Sequence, residues 1–522
     1  MLGFHRRQRS LIPVKDLAKY DKLPVVWEEE GEETDCEMTL DPPKAGHKQL
    51  MLIYIVFLAE AIMAASLQPQ LKMLLSAEDF CGDLSSSYLR SILDCAYAFG
   101  CTAGILWGCL ADRVGRRPVA LAGLFSMAIC CMAMGLAKSL GSCAIFRFVA
   151  GLVSSAVTVT ALTMIGDISP TPVERAVNIA RLPLVAVCGS IGPLVQGMVA
   201  GSFKADGAIW QKFPALSSQI ACGSLVFLVA VSASIMLQET LPAQADSSET
   251  VDIDCEKAAF LGQVTNNDCS NPVAIRIVDY VKPEPISIGQ FVQAPSLLTL
   301  LASFSLFSLH ASTFDVLLPH IGHSSTQHGG MGIPCSWLGF TVLVTRAIAG
   351  LIVLRIVPQA VEKLGLLKPF RTSSLLFPAI YVLTPALAYF VACSSTLTAL
   401  ISTASILAKH ILANGAQILV ALLMLNAAPD AFSAGTIAGL MQVASLFKAL
   451  AVAVTGASFY LSDDLSVAAT NCALWSALGF FGVAGAALAW FVRESPSVER
   501  DFPAEVLKWE TCFDAEGLES GM

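Results

Sequence analysis

An all-α membrane protein of twelve spanning helices, six before and six after an acidic linker, is the fold class this sequence predicts. Three observations carry it. Of the 522 residues, 55% are hydrophobic and only 14% are charged, and the mean hydropathy is +0.66, a combination rare in soluble domains. The apolar residues gather in twelve blocks, each about 20 residues or longer and able to cross a hydrocarbon core roughly 30 Å thick. Polarity then rises sharply between the sixth block and the seventh.

Residues 1–49 come first and are polar, with basic FHRRQRS and acidic WEEEGEETDCE. They lack the apolar core of a signal peptide and are expected to form a disordered cytoplasmic tail. Blocks at 50–70, 88–110, 118–138, 142–166, 181–203 and 217–237 then make a first bundle, 50–238. The stretch 239–290, opening ETLPAQADSSETVDIDCEKAAF, reads as an acidic cytoplasmic linker. Blocks at 296–319, 336–356, 372–392, 397–425, 434–460 and 470–492 make a second bundle, 291–493, before a polar cytoplasmic tail at 494–522. Arg113, Arg116, Arg117, Arg175, Lys363, Lys368 and Arg371 fall in the loops on one side. Cytoplasmic loops collect such residues, so both termini are expected inside.

The net charge of −9 comes mostly from the tails and linker and names no partner. There is no basic stripe with interleaved aromatics, so nucleic acid is not an expected partner. No nucleophile–base pair, HExxH or GxxxxGK[ST] occurs. Neither an enzyme nor an ATP-driven pump is expected, no cofactor is required, and a proton gradient is the expected driving force. His320, His323 and His328 lie close together in a Gly-rich stretch whose spacing is too loose to assign a metal. Most of the sixteen Cys fall inside spans as small apolar residues. Cys81 and Cys335 fall in outer loops, and whether they pair stays open.

Residues 107–119, WGCLADRVGRRPV, put Asp112, Arg113, Arg116 and Arg117 at the connection between spans 2 and 3. Gly108 lets span 2 approach a neighbour, Gly115 permits a sharp reversal, and Pro118 starts span 3 without losing a hydrogen bond. Asp112 can accept from a helix N-terminus or pair with an Arg. Anchoring by positive charge explains three arginines but not their order. That order, Gly108, Leu110, Asp112, Arg113, Gly115, Arg116, Arg117, resembles the loop 2–3 signature of the major facilitator superfamily. The resemblance implies two pseudo-symmetric six-helix bundles rocking about a central site. It also implies a role for the loop as a latch that grips the inner side while the outer side is open. Asp167, at the inner end of span 4, stands where that family often has an acidic partner for the loop arginines.

Further residues extend the resemblance. Arg147 and Gly151 match its Arg-x-x-x-Gly pattern in span 4. In span 5, Gly189, Pro193, Gly197 and Gly201 recur every four residues with Gly192 beside them, a close-packing face. It resembles the family's Gly-Pro antiporter signature and implies antiport. HASTFDVLLP (310–319), GLLKPFR (365–371) and LNAAPDAFSAGTIAGLMQ (425–442) resemble the fungal and plant branch that includes zinc-induced-facilitator-like carriers. That branch implies a drug-like or organic-anion solute, with a metal or metal chelate next. Its span 1 Arg and Glu-Pro are Phe57, Glu60 and Ala61 here, and its span 11 Arg is Lys448.

Ionisable groups at membrane depth are costly and face a cavity or a partner. Glu60 lies ten residues into span 1, roughly 15 Å at 1.5 Å per residue and close to the midplane. Opposite Arg147, either Glu60 or Asp94 carries a proton in exchange for substrate or forms a permanent ion pair. His310 in span 7 serves proton transfer or packs as a neutral ring. Lys409 and His410 are about 100° apart on one helix. Thr403, His410, Asn414 and Gln417 form one polar stripe, so His410 is expected to face inward and Lys409 away. Asp315 is expected in solvent at the outer end of span 7. Lys448 either attracts an anion or replaces a structural Arg. The function expected is secondary active transport of a small organic solute, by proton-coupled antiport and alternating access, in a chain acting as a monomer in a lipid bilayer. A non-transporting sensor of the same fold, or a carrier of a metal or metal chelate, is the alternative, and plasma membrane and endomembranes both stay open.

Overall fold

The protein is described here from a computed structural model, for residues 45–66, 86–190, 192–193, 196, 198, 213, 215–241, 294–390, 395–428, 431–461 and 466–493. The backbone divides at Lys44 into units 1–44 and 45–522, and every described residue lies in the second. The expected tails and most of the expected linker therefore lie outside the described residues, as do Cys81, Gly197 and the side chain of Cys335.

Within the described residues the regular structure is helical. The first six spans comprise α1 (Ala45–Ala65), α2 (Ser86–Cys101), α3 (Gly104–Val114), α4 (Arg116–Met134), α5 (Leu140–Ile168), α6 (Pro172–Ala180), α7 (Leu182–Gly189) and α8 (Leu216–Met236). The last six comprise α9 (Pro295–His323), α10 (Cys335–Leu364), α11 (Leu367–Phe390), α12 (Ser395–Asn426), α13 (Ala434–Met441), α14 (Ala444–Leu461) and α15 (Val467–Phe491). Eleven stretches of these are long and apolar enough to cross a membrane, α2 with α3 and α13 with α14 each counting as one. Span 5 is described only in part, as α6, α7 and helical positions to residue 198.

Local chemistry fixes the ends. Ser139 and Ser142 cap α5 reciprocally, and Thr171 caps α6 with Pro172 in its first turn, each satisfying N–H groups that a helix start leaves bare. The turn between α3 and α4 is tighter than expected. Asp112 and Arg113 are still helical, Arg116 already is again, and Gly115 alone reverses the chain at φ 115°, a conformation L side chains resist. Helix therefore begins before Pro118.

Two spans are broken where they meet. Span 2 tightens between α2 and α3, where Ala103 N–H bonds to Gly100 O. Span 11 does the same between α13 and α14, where Gln442 N–H bonds to Gly439 O. Such short-range bonds mark local 3₁₀ tightening. α3 packs on α13 through glycines from both halves. A Cβ on Gly108 would strike the Gly435 carbonyl, and one on Gly439 would come within 2.6 Å of the Gly104 carbonyl. The halves also meet through α2 on α14 and α6 on α10.

Each half is tied near its arginine-bearing end in a parallel way. Arg117, opening α4, donates to Ser234 O near the end of α8 at 2.8 Å. Arg371, in the first turns of α11, donates to Trp490 O at 2.9 Å and Val492 O at 2.7 Å at the end of α15. In both cases a cation meets the bare carbonyls of a helix C-terminus.

Candidate functional site

The charged turn builds the first part of the site. Asp112 is buried, and its carboxylate crosses to the other half. Its Oδ1 accepts from Gly435 N–H at 2.8 Å, and its Oδ2 from Thr436 N–H at 2.6 Å and Thr436 Oγ1 at 2.7 Å. Asp112 thus occupies the N-terminus of α13, where bare N–H groups and the helix dipole favour an anion. Of the two expected partners, the helix end is the one observed. Arg116 pairs with Asp167, which also accepts from Thr240 Oγ1 at 2.8 Å. The Glu239 carboxylate accepts from Arg116 N–H at 2.9 Å and Arg117 N–H at 3.0 Å, capping α4. Arg113 points outward and is exposed. A second bond between the halves joins Arg175 Nη1 to Asn426 Oδ1 at 2.8 Å.

Glu60 is 9% exposed and sits among hydroxyls. Its Oε1 accepts from Ser154 Oγ at 2.6 Å and Tyr97 OH at 3.1 Å. Arg147 makes no ion pair with it. The guanidinium lies over the Tyr97 ring, 4.5 Å from its centroid, and 3.7 Å from Asp94 Oδ1. Asp94 is also bonded by Arg90 at 3.4 Å. Of the two expected acidic partners of Arg147, Asp94 is the one in contact, and the link to Glu60 runs through Tyr97.

Between the halves lies a cavity of about 400 Å³, within the range that holds small organic ligands. Spans 1, 4 and 5 line it from one side and spans 7, 8, 10 and 11 from the other. Phe57, Phe304 and Phe307 supply aromatic wall, while Asn414, Gln417 and Gln442 supply amides. Among the described residues three cations border it, Arg346, Lys409 and Lys448, against one carboxylate, Asp315. Lys409 Nζ binds Asp315 Oδ1 at 2.5 Å, accompanied by Ala311 O at 3.3 Å and the Phe314 ring. His410 also lines the cavity, 4% exposed, with Nε2 lacking a hydrogen-bond partner.

Several expectations are corrected here. Lys409 was expected to face away from the cavity that His410 faces, yet both border it, because a wide arc of α12 is exposed to that space. Asp315 is ion-paired rather than simply solvated. His310 lies away from the cavity lining: its Nδ1 is 2.9 Å from Tyr381 OH, and Phe307 and Phe377 pack on its ring. Glu60, Asp94 and Arg147 also stand outside the lining, whereas Asn414 and Lys448 belong to it. Sequence reasoning missed Arg346, and the signal was there, a lone Arg inside the apolar run LVTRAIAGL. His320 and His323 close α9 as part of the helix.

The glycine face of span 5 packs against span 1. A Cβ on Gly189 would collide with Ala61, and one on Gly192 would meet Ile62 at 3.0 Å. Pro193 is half-buried beside them.

A family model described as Major Facilitator Superfamily matches residues 50–456. Among curated proteins, the multidrug transporter mfsB of Aspergillus fumigatus is 23% identical over 86% of this chain and 84% of its own length. Protein ZINC INDUCED FACILITATOR-LIKE 1 of Arabidopsis thaliana is 25% identical over 81% of this chain and 86% of its own. Among solved structures, the proton:xylose symporter XylE superposes with a TM-score of 0.61 at 14% identity, covering 87% of this chain and 99% of that one. The human organic anion transporter MFSD10 gives 0.55 at 16% identity, covering 85% and 99%. At such identities the two structures speak for the fold alone.

Proposed function

The chain belongs to the major facilitator superfamily of membrane transporters, and from that premise we propose proton-coupled secondary active transport of a small organic solute by alternating access. One observation carries the reading: a cavity lined from both halves lies between them, and at the arginine-bearing end Asp112 of one half is bonded to the start of α13 in the other. Two halves joined by reversible polar bonds at one end of a shared cavity can part there and close elsewhere. With the arginine-rich loops placed inside, this conformation is the one with its cytoplasmic gate shut.

Glu60 is the proposed proton carrier. Both hydroxyl donors bond its Oε1, so Oε2 is left to carry a proton. Antiport is the first reading of the coupling, supported by the glycine face of span 5 against span 1. Co-transport is a second reading, favoured because Lys448 lies within electrostatic reach of Glu60. A proton on Glu60 then leaves the Lys448 charge uncompensated for a solute.

The test uses the full chain in proteoliposomes with an imposed pH gradient, wild type beside Glu60→Gln. We expect gradient-driven flux in wild type only, with solute–solute exchange kept in the variant. Gradient-driven flux at the wild-type rate in Glu60→Gln removes Glu60 from the mechanism. Absence of any flux from the wild type across a broad solute panel favours the sensor alternative instead.

A further inference from the structure

We propose that the cavity binds small amphipathic organic anions, a carboxylate or sulfonate held by Lys448 and Arg346 with an apolar body against Phe57, Phe304 and Phe307. This rests on the transport reading above and adds the charge and shape class of the solute.

The argument is one of charge placement. Asp315 is the one carboxylate of the lining among the described residues, and it is engaged by Lys409 at 2.5 Å. Lys409 is further satisfied by the Ala311 carbonyl and the Phe314 ring face. Arg346 and Lys448 have no ion pair or hydrogen bond among the described residues, and meet Asp315 and Glu60 only at longer electrostatic range. A cation in a confined, partly apolar space is costly unless something compensates it. A bound anion does so. His410 is the second observation. It is 4% exposed, lines the same cavity, and its Nε2 has no partner, although buried polar atoms are nearly always bonded. A ligand oxygen at this position supplies that bond. The aromatic rings exclude a purely polar solute as the best fit, since a small hydrophilic anion leaves their faces wet.

The experiment measures equilibrium binding to the purified full chain in detergent at fixed ionic strength. The probes share one ring system and differ in charge: radiolabelled 2-naphthoate, neutral 2-naphthamide and cationic (2-naphthylmethyl)trimethylammonium. We expect naphthoate to bind about tenfold or more tighter than either other probe. Lys448→Gln and Arg346→Gln are each expected to weaken it about tenfold to a hundredfold, the range for losing a charge-assisted hydrogen bond, with Lys448→Arg retaining most affinity. The proposal is overturned if the cation or the amide binds as tightly as naphthoate, if naphthoate does not bind, or if both Gln variants bind it like wild type. The comparison of probes on the wild type holds even where a variant fails to fold. Because no gradient is applied and all probes are compared at one pH, the ranking of the probes does not depend on gradient-driven flux. Naphthoate binding with no flux of any solute in the panel upholds the anion site and removes the transport reading. Selective binding and flux of the cationic probe does the reverse.

Discussion

At one end of the protein the Asp112 carboxylate takes three donors from α13 across the seam between the halves. Asp112→Asn sets an amide NH₂ against one of those N–H groups and removes the charge. We expect the closed contact to weaken by about 2 kcal/mol, read as roughly thirtyfold faster hydrogen exchange at the Gly435 and Thr436 amides. Unchanged exchange there contradicts the latch. The Lys409–Asp315 pair makes a different prediction. Lys409→Met alone leaves Asp315 without its counter-charge, whereas Lys409→Met with Asp315→Leu removes both. The single change should lower stability by about 2 kcal/mol, moderated because Asp315 is partly exposed to the cavity, and the double change by less; denaturation midpoints in detergent measure the difference. At this scale much was legible. Asp112 read as an acceptor for a helix N-terminus or a partner for an Arg, but the α13 amide it takes, Gly435 N–H, lies 323 residues later, beyond any local pattern. Lys409 was misplaced because facing directions on one helix were treated as exclusive, when the space beside α12 spans more than 100° of its surface.

At the scale of elements, the contact of α3 with α13 depends on the absence of side chains. Gly108→Leu places a branched side chain against the Gly435 carbonyl. Overpacking of this kind costs about 1–3 kcal/mol. The strain falls on the seam between halves rather than within either one. The variant should therefore remain folded and monodisperse while losing net transport, and spin labels across the arginine-bearing end should report separation of the halves. Wild-type flux from Gly108→Leu would show that the seam never has to close this tightly. The spans themselves were readable from composition, since a run of about 20 apolar residues has few other fates. Their breaks were not. α2 and α3 part without a proline between them, as do α13 and α14. Each break lies where the other half comes closest, Gly104 against Gln442, a contact no single segment encodes.

At the scale of the whole molecule, the class of transporter was legible from one short motif and the count of spans. The charge of its cavity was not. Arg346, Lys409, Asp315 and Lys448 come from four different spans, and only packing reveals which charges cancel. The parallel ties made by Arg117 and Arg371 also bear on how the molecule can be taken apart. Each one fastens the third span of a half to its sixth, α4 to α8 and α11 to α15, so each half is hooped by its own bonds, and neither hoop borrows a strut from the connecting peptide. Two polypeptides divided at residue 265 and made in the same cell should then find each other, copurify through a tag on one fragment, and move solute at a rate near that of the unbroken protein. Fragments that degrade separately would mean that the peptide bond between the hoops contributes to assembly after all.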